Sequence, residues 1–563
     1  MLLCDLNALK GMVMFMRTGK FKSHFIRFIC AVFAVMLCIQ SPGAFANASS
    51  ADALSTEEQS FINAIENGAS GKINVWGKWN NAISLQSQGN YQGAIAGYRQ
   101  VAPHFKKEGA TNMALLFQHL GECYVAANDY RSGAICYKRS AYYWSQAQGQ
   151  EETARYYKNI ANSLKTDVRL YLKTTDARFN KTKFFGAPNE NQNGIILGTT
   201  WGKGPDFDTS AITGVKHDLE LLYVNYGADL TKNASDFQTA KENNTLLQIA
   251  LQPSSGLQAV QNNSYLIELA KYLESTGCRI LLRFANEMND QTSPWYTANY
   301  NEYIEKFRIV ASVFKTYAPS VGIVWAPNFY PDDTIDLYYP GDEYVDYVGL
   351  SVYKEYTPET DPLRQGVDRG RWSNILDRVY DTYGERKPII VSESGCSYFS
   401  VKTQSDITAF AVKQMKDYYT YLPIKYPNLK MAVLFNKEDA GGRQFLLSRN
   451  NAVLEAYKAG ITSSPRFISN SSPQPTVYYS ELQNWYTVPA AKVELCSYIS
   501  EPLNEIGYVI YTVNGVPYTS YGIPYAVPVD FSAQAGQTLS VDVRAYRNDI
   551  VVAQESFSLQ VVQ

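Results

Sequence analysis

The sequence predicts three folded regions of different class: an α-helical repeat, a (β/α)8 TIM barrel and a C-terminal antiparallel β-sandwich of immunoglobulin-like size. Three observations carry that prediction. Two tyrosine-spaced helical motifs recur in the first third of the chain, eight short apolar runs alternate with amphipathic stretches in the middle, and the last part alternates strictly between apolar and polar residues.

A length of 563 residues exceeds what one hydrophobic core organises, and 45% hydrophobic with 18% charged residues is the composition of folded globular protein. Lysine and arginine total 51 against 53 acids, which excludes a protein built to neutralise phosphate. The four histidines, His24, His104, His119 and His217, are too scattered for a zinc site or a histidine-based triad. No metal or organic cofactor is expected. Aromatic residues make up 13% of the chain, with 43 tyrosines; such rings fill cores and stack on sugars.

Residues 1–46 read as a secretory signal. Arg17, Lys20, Lys22 and Arg27 precede an uncharged run from Phe28 to Ile39, and Ala44-Phe45-Ala46 has the small-residue spacing of a cleavage site. The run is too short to span a bilayer, and no later segment matches it. The expected protein is therefore secreted or periplasmic, without a transmembrane segment once the signal is removed. A start at Met16 gives the more ordinary charged leader, and Cys38 lacks the small residues a lipidation site wants before it. The five later cysteines, Cys123, Cys136, Cys278, Cys396 and Cys496, are an odd and sparse set, expected as buried thiols.

Residues 50–178 are predicted as a helical domain, with the helical pattern running to about Lys173. Gly89-Asn90-Tyr91-x-x-Ala94-x-x-x-Tyr98 matches Asn128-Asp129-Tyr130-x-x-Gly133-x-x-x-Tyr137. The offsets keep the tyrosines and the small residue on one helical face, where the small residue admits a neighbouring helix. Leu120-Gly121-x-x-Tyr124 supplies the helix before the second unit. The region resembles a tetratricopeptide array, although the tyrosine step is 39 residues where about 34 is usual. It is either a groove for a protein partner or a helical spacer.

Residues 190–462 are predicted as the barrel. The eight candidate strands are Ile195–Gly198, Leu221–Asn225, Leu246–Leu251, Arg279–Phe284, Gly322–Ala326, Tyr347–Ser351, Pro388–Val391 and Met431–Phe435, with helices such as Tyr265–Thr276 and Tyr300–Tyr317 between them. That count and alternation fit a closed parallel barrel better than an open sheet. Serines and prolines over 463–475 read as a linker. Residues 476–563 read as the sandwich, with turns at Asn514-Gly515 and near Arg547-Asn548-Asp549.

Active sites of such barrels lie at the carboxyl ends of the strands. Arg279–Phe284 leads into Ala285-Asn286-Glu287, and Pro388–Val391 leads into Ser392-Glu393. These are strands four and seven, on roughly opposite sides of the mouth, so Glu287 and Glu393 can face each other. A carboxylate pair across a cleft cleaves glycosidic bonds, with retention at about 5–5.5 Å and inversion at about 6.5–9.5 Å.

The region 194–460 resembles glycoside hydrolase family 26, within the clan of retaining barrel enzymes. The resemblance rests on Leu281-Leu282-Arg283-x-x-x-Glu287-Met288-Asn289 and Val324-Trp325-Ala326-Pro327-Asn328. It continues through Tyr338-Tyr339-Pro340-Gly341-Asp342 with Val345-Asp346-x-Val348-Gly349-Leu350, and ends on Lys387-Pro388-Ile389-Ile390-Val391-x-Glu393-x-Gly395. It implies Glu287 as general acid/base, Glu393 as nucleophile, Arg283 as the cation that keeps the nucleophile ionised and Tyr353 as its hydrogen-bond donor. Family mannanases typically carry histidine before the acid/base, whereas this chain has Asn286, the residue other clan families use toward the sugar 2-hydroxyl. Retaining chemistry survives that change, but β-mannan as substrate does not follow from the resemblance. Trp201, Trp295, Trp325 and Tyr330 lie in or near strand ends and are candidate stacking platforms. The expected function is an endo-β-glycanase acting on β-mannan, mixed-linkage β-glucan, β-xylan or a bacterial exopolysaccharide. The alternative is a non-catalytic polysaccharide-binding or envelope assembly protein that keeps the barrel as a scaffold.

Overall fold

The computed structural model describes residues 55–68, 71–356, 372–469 and 477–563. The expected signal segment and residues 470–475 of the expected linker lie outside the described residues. Among the described residues six helices come first: α1 (Thr56–Glu66), α2 (Val75–Ser87), α3 (Tyr91–Phe105), α4 (Ala110–Ala126), α5 (Tyr130–Ser145) and α6 (Glu151–Ser163). The two matched motifs are helix starts. Asn90 Oδ1 accepts the Gly93 amide and Asp129 Oδ1 accepts the Ser132 amide, each at 3.0 Å, which satisfies amides that the first turn leaves open. The small residue does admit a neighbour: a Cβ on Gly133 would sit 2.6 Å from Val125 Cγ2 of α4, and one on Gly121 would enter the Tyr137 ring. Buried Glu66 of α1 pairs with Arg139 of α5 at 2.6 Å and with Lys106 at 3.3 Å.

The helical region ends earlier than expected. Asp167–Thr174 is strand β1, not helix. Its apolar residues Val168, Leu170 and Leu172 alternate with period two, which a helix cannot keep on one face.

The barrel strands are β2 (Ile195–Thr200), β3 (Leu219–Asn225), β4 (Leu246–Gln252), β5 (Arg279–Phe284), β6 (Gly322–Trp325), β7 (Tyr347–Lys354) and β8 (Ile389–Cys396). A short pair, β9 (Phe399–Ser400) and β10 (Ser405–Asp406), decorates the loop that follows, and the eighth barrel strand is β11 (Leu429–Leu434). All neighbours pair in parallel, and β11 closes on β2 through Met431 beside Ile196 and Val433 beside Gly198. The interior is filled by alternate residues, among them Ile196, Leu221, Leu281, Val324, Ile390 and Met431. The other set faces the helices, so one sheet carries two cores and has no edge. Among the described residues seven α-helices follow the strands, from α7 (Thr209–Thr213) and α8 (Ala234–Glu242) through α9 (Ser264–Thr276) and α10 (Tyr300–Tyr317) to α11 (Asp377–Tyr383), α12 (Thr408–Lys425) and α13 (Asn451–Ile461). After β6 the described connection has only a 3₁₀ turn.

The first half of the expected linker is structured. Arg466 is buried and donates to the Pro423 and Pro427 carbonyls, and β12 (Phe467–Ile468) pairs in parallel alongside β2. Beyond it come β13 (Tyr478–Leu482), β14 (Thr487–Pro489), β15 (Lys492–Ser500), β16 (Tyr508–Val513), β17 (Val516–Ser520), β18 (Val527–Asp530), β19 (Thr538–Arg547) and β20 (Ile550–Val562). They form two sheets, antiparallel except for β14 beside β20. Both expected turns are two-residue hairpin loops whose central residues have positive φ: Asn514-Gly515 and Asn548-Asp549.

β1 sits inside the four-stranded sheet, between β13 and β15. Leu170 and Leu172 point into the sandwich core, while Tyr171 packs with Tyr421 and Ile424 of α12 on the barrel side. The barrel is therefore threaded between one strand of the sandwich and the rest. A chain beginning at residue 165 keeps β1 and is expected to melt cooperatively, whereas one beginning at residue 176 leaves β13 and β15 unpaired across the gap and is expected to aggregate or melt well below it. Thermal melts by circular dichroism compare the two, and equal midpoints would contradict a central role for β1.

Candidate active site

Two departures from regular strand geometry build the site. On β5, Leu281 and Arg283 face the interior and Leu282 and Phe284 the helices. The chain then passes through Ala285 and Glu287 with φ of 43° and 57°. Left-handed backbone at such residues costs about 1–2 kcal/mol each and persists only where the surroundings enforce it. Here the Glu287 amide donates to the Ala326 carbonyl at 2.8 Å, and Trp295 Nε1 donates to the Asn286 carbonyl at 2.7 Å. The Asn289 amide group ties the same loop to the Asn328 and Pro331 carbonyls after β6.

On β8, the pairing with β7 skips one residue: Leu350 lies beside Val391 and Ser351 beside Glu393. The extra residue, Ser392, bulges inward, and a Cβ on Gly349 would fall 2.2 Å from its hydroxyl, so only glycine fits there. Gln248 of β4 reaches across the interior and donates to the Ser392 carbonyl at 2.9 Å. The bulge resets the alternation so that Glu393 turns toward the cleft.

Arg283 joins the two sides. It is fully buried; Nη1 donates to Glu393 Oε1, Nη2 donates to Ser351 Oγ at 2.5 Å, and Nη2 stops 3.9 Å from Glu287 Oε1. Tyr353 donates its hydroxyl to Glu393 Oε2 at 2.5 Å. Glu393 thus accepts from both sides, whereas Glu287 Oε1 has no hydrogen-bond partner. Burial, and after it the negative charge of Glu393, push the Glu287 carboxyl up to about 7, against the pull of Arg283. The phenols of Tyr353 and Tyr223 are raised well above their ordinary value by burial and then by the charge of Glu393. The arrangement can keep Glu287 protonated near neutral pH while Arg283 and Tyr353 are committed to Glu393.

Residues 226–419 match the family model of glycosyl hydrolase family 26. The match runs through the barrel from the end of β3 into α12. Endoglucanase H of Acetivibrio thermocellus is 24% identical over 286 residues, 48% of this chain and 30% of that protein, so the chain spans less than a third of that relative's length. Among solved structures, GH26C from Muricauda sp. is 16% identical over 50% of this chain and 89% of its own, with a TM-score of 0.39. The endo-beta-1,4-mannanase from Thermotoga petrophila is 12% identical over 67% and 100%, with a TM-score of 0.35.

The barrel brings Arg283, Asn286, Glu287, Tyr353 and Glu393 together at the mouth. The tryptophans divide. Trp325 is fully buried on the helix side, in edge contact with Tyr339 and Tyr383, so it is a core residue and not a stacking platform. Its position in β6 explains this, since Val324 takes the inward place. Trp295 is 6% exposed and serves as the strut for Asn286 already described. Trp201 is partly exposed and packs against the helix-side core, with Lys203 Nζ 5.2 Å from its centroid, and it lines a cleft of about 330 Å³ with Leu222, Val224, Phe237 and Ile249 on the outer side of β3 and β4. Tyr330 faces α6, donating to Glu152 at 3.4 Å. Ser351, Gln248 and Tyr223 belong to the site as well. The period-two rule along Gly349, Ser351 and Tyr353 points to Ser351, and a lone glutamine in the apolar run of β4 points to Gln248. Among the described residues no cluster of metal-ligating side chains is present, and no helix is long and apolar enough to cross a membrane.

The raised carboxyl of Glu287 has a consequence for stability. Native protein holds a proton that the unfolded chain releases between the ordinary value of 4.5 and about 7, so stability falls as pH rises through that window. Glu287→Gln removes the cost, and the variant is expected to be more stable than wild type at pH 8 by about 3 kcal/mol and equal to it at pH 4. Urea unfolding at both values measures this; an unchanged difference across pH would mean that the Glu287 carboxyl is not raised.

Proposed function

We propose that the protein is an exported retaining endo-β-glycanase in which Glu393 is the nucleophile and Glu287 the general acid/base. The observation that carries this reading is the unequal treatment of the two glutamates by one cation: Arg283 is committed to Glu393 and stops short of Glu287. Glu393, ionised and oriented by Tyr353, attacks the anomeric carbon while Glu287 gives its proton to the departing glycosidic oxygen. The glycosyl ester that forms has no charge on Glu393. Glu287 then loses its anionic neighbour but keeps Arg283 nearby, so it ionises and takes a proton from the water that hydrolyses the ester.

Asn286 stands where its amide contacts the 2-hydroxyl of the reacting sugar. With asparagine there rather than histidine, a glucose or xylose unit, whose 2-hydroxyl is equatorial, is favoured over mannose. Similarity to a relative named endoglucanase points the same way, and β-glucan is the first substrate to try, ahead of β-xylan, β-mannan and bacterial exopolysaccharide. Export follows from the leader-like residues 1–46, and the helical region is a spacer or a partner platform beside the catalyst.

Reducing-sugar release from a panel of these polymers is expected for wild type and to fall by at least about 10³-fold in Glu393→Ala. In Glu287→Ala, substrates with good leaving groups are expected to keep much of their rate and added azide to restore turnover. The sugar released first keeps its β-configuration by NMR. A wild type that matches Glu393→Ala on every polymer would leave the barrel as a binding scaffold.

A further inference from the structure

Arg283 has a choice of acceptors. Nη2 lies 2.5 Å from Ser351 Oγ and 3.9 Å from Glu287 Oε1, and that carboxyl oxygen has no hydrogen-bond partner. A guanidinium moving by little more than 1 Å would bridge the two glutamates. Ser351 is placed to prevent it. Its backbone is fixed on both sides, the amide donating to Pro327 and the carbonyl accepting from Phe329, each at 3.0 Å. It is fully buried, and its neighbour across the sheet is Glu393.

We propose that Ser351 is a positioning residue whose hydroxyl holds the Arg283 guanidinium on Glu393 and off Glu287. The inference rests on the two-glutamate reading above and extends it to what keeps the roles of the pair apart. Without the hydroxyl, the next acceptor for Nη2 is Glu287 Oε1, and a contact ion pair there strips the acid of its proton before the substrate can take it. The groups facing Glu287 are Arg283 on β5, Asp290 in its own loop, Tyr223 on β3, Ser351 and Tyr353 on β7 and Glu393 on β8. Only Arg283 among them is a cation, so its position governs the acid. One effect opposes this: the Ser351 hydroxyl itself favours ionised Glu287, and losing it raises the carboxyl. A full charge brought into contact outweighs a lost hydroxyl dipole, so the net shift is toward acid.

In Ser351→Ala the alkaline limb of the kcat/KM profile is expected to move about one pH unit toward acid, with rates converging on wild type at low pH. Ser351→Thr keeps the acceptor and is expected to keep the limb. The ¹³C titration of the Glu287 carboxyl, assigned by its loss in Glu287→Gln, reads the same shift without turnover. If Ser351→Ala does not fold, Ser351→Cys, with a poor sulfur acceptor, carries the same expectation. A titration that stays in place or moves toward alkali overturns the role of Ser351. Absence of hydrolysis by wild type would instead overturn the enzymatic reading, and the carboxyl titration would still decide the role of Ser351.

Discussion

The fully buried guanidinium of Arg283 is the constraint on which the site depends. A cation taken out of water is tolerated only with a close anion, and leaving it unpaired would cost several kcal/mol. Glu393 supplies the anion and Ser351 an acceptor. The rest of the mouth keeps that arrangement: Tyr353 closes the other side of Glu393, Gln248 anchors the bulge that aims it, and Trp295 and Asn289 stiffen the loop that carries Glu287.

Much of this was legible in the sequence. All eight barrel strands announced themselves as short apolar runs, because strands buried on both faces have almost no polar residues to interrupt them. Glu287 and Glu393 stood out because a charge directly after such a run has few reasons to be there. The failures share one cause: patterns give the period of a segment but not which partner it meets. The reading of 167–173 as helix continued the preceding pattern, and the partners of β1 lie some three hundred residues further on, with Tyr171 and Glu481 separated by 310. Trp325 faces the helices and not the mouth because inward and outward positions exchange from one residue to the next along β6. The bulge at Ser392 has no sequence signal beyond the small residues Gly349 and Ser392 that accommodate it.

The helical region is joined to the barrel by specific contacts and not by chain connectivity alone. Arg155 of α6 pairs with Asp333 at 2.7 Å and with Glu152, and Tyr330 of the same barrel loop lies against it. Between α6 and the outer barrel wall a cleft of about 610 Å³ remains, lined by Tyr156, Asn159, Phe329 and Lys354. The loop that α6 touches follows β6, the strand end whose Ala326 carbonyl receives the Glu287 amide.

The placement of β1 bears on how the protein comes to be made. During synthesis the N-terminal parts of a chain emerge and fold first. β1 emerges early, yet neither of its sheet neighbours exists until the whole barrel has left the ribosome. An exposed apolar strand must wait through that interval, and closing so long a loop slows the final pairing. The sandwich thus acts as a clasp fastened last, and a ribosome that stalls inside the barrel releases a chain with an unsatisfied edge, the kind of surface that proteases and chaperones recognise.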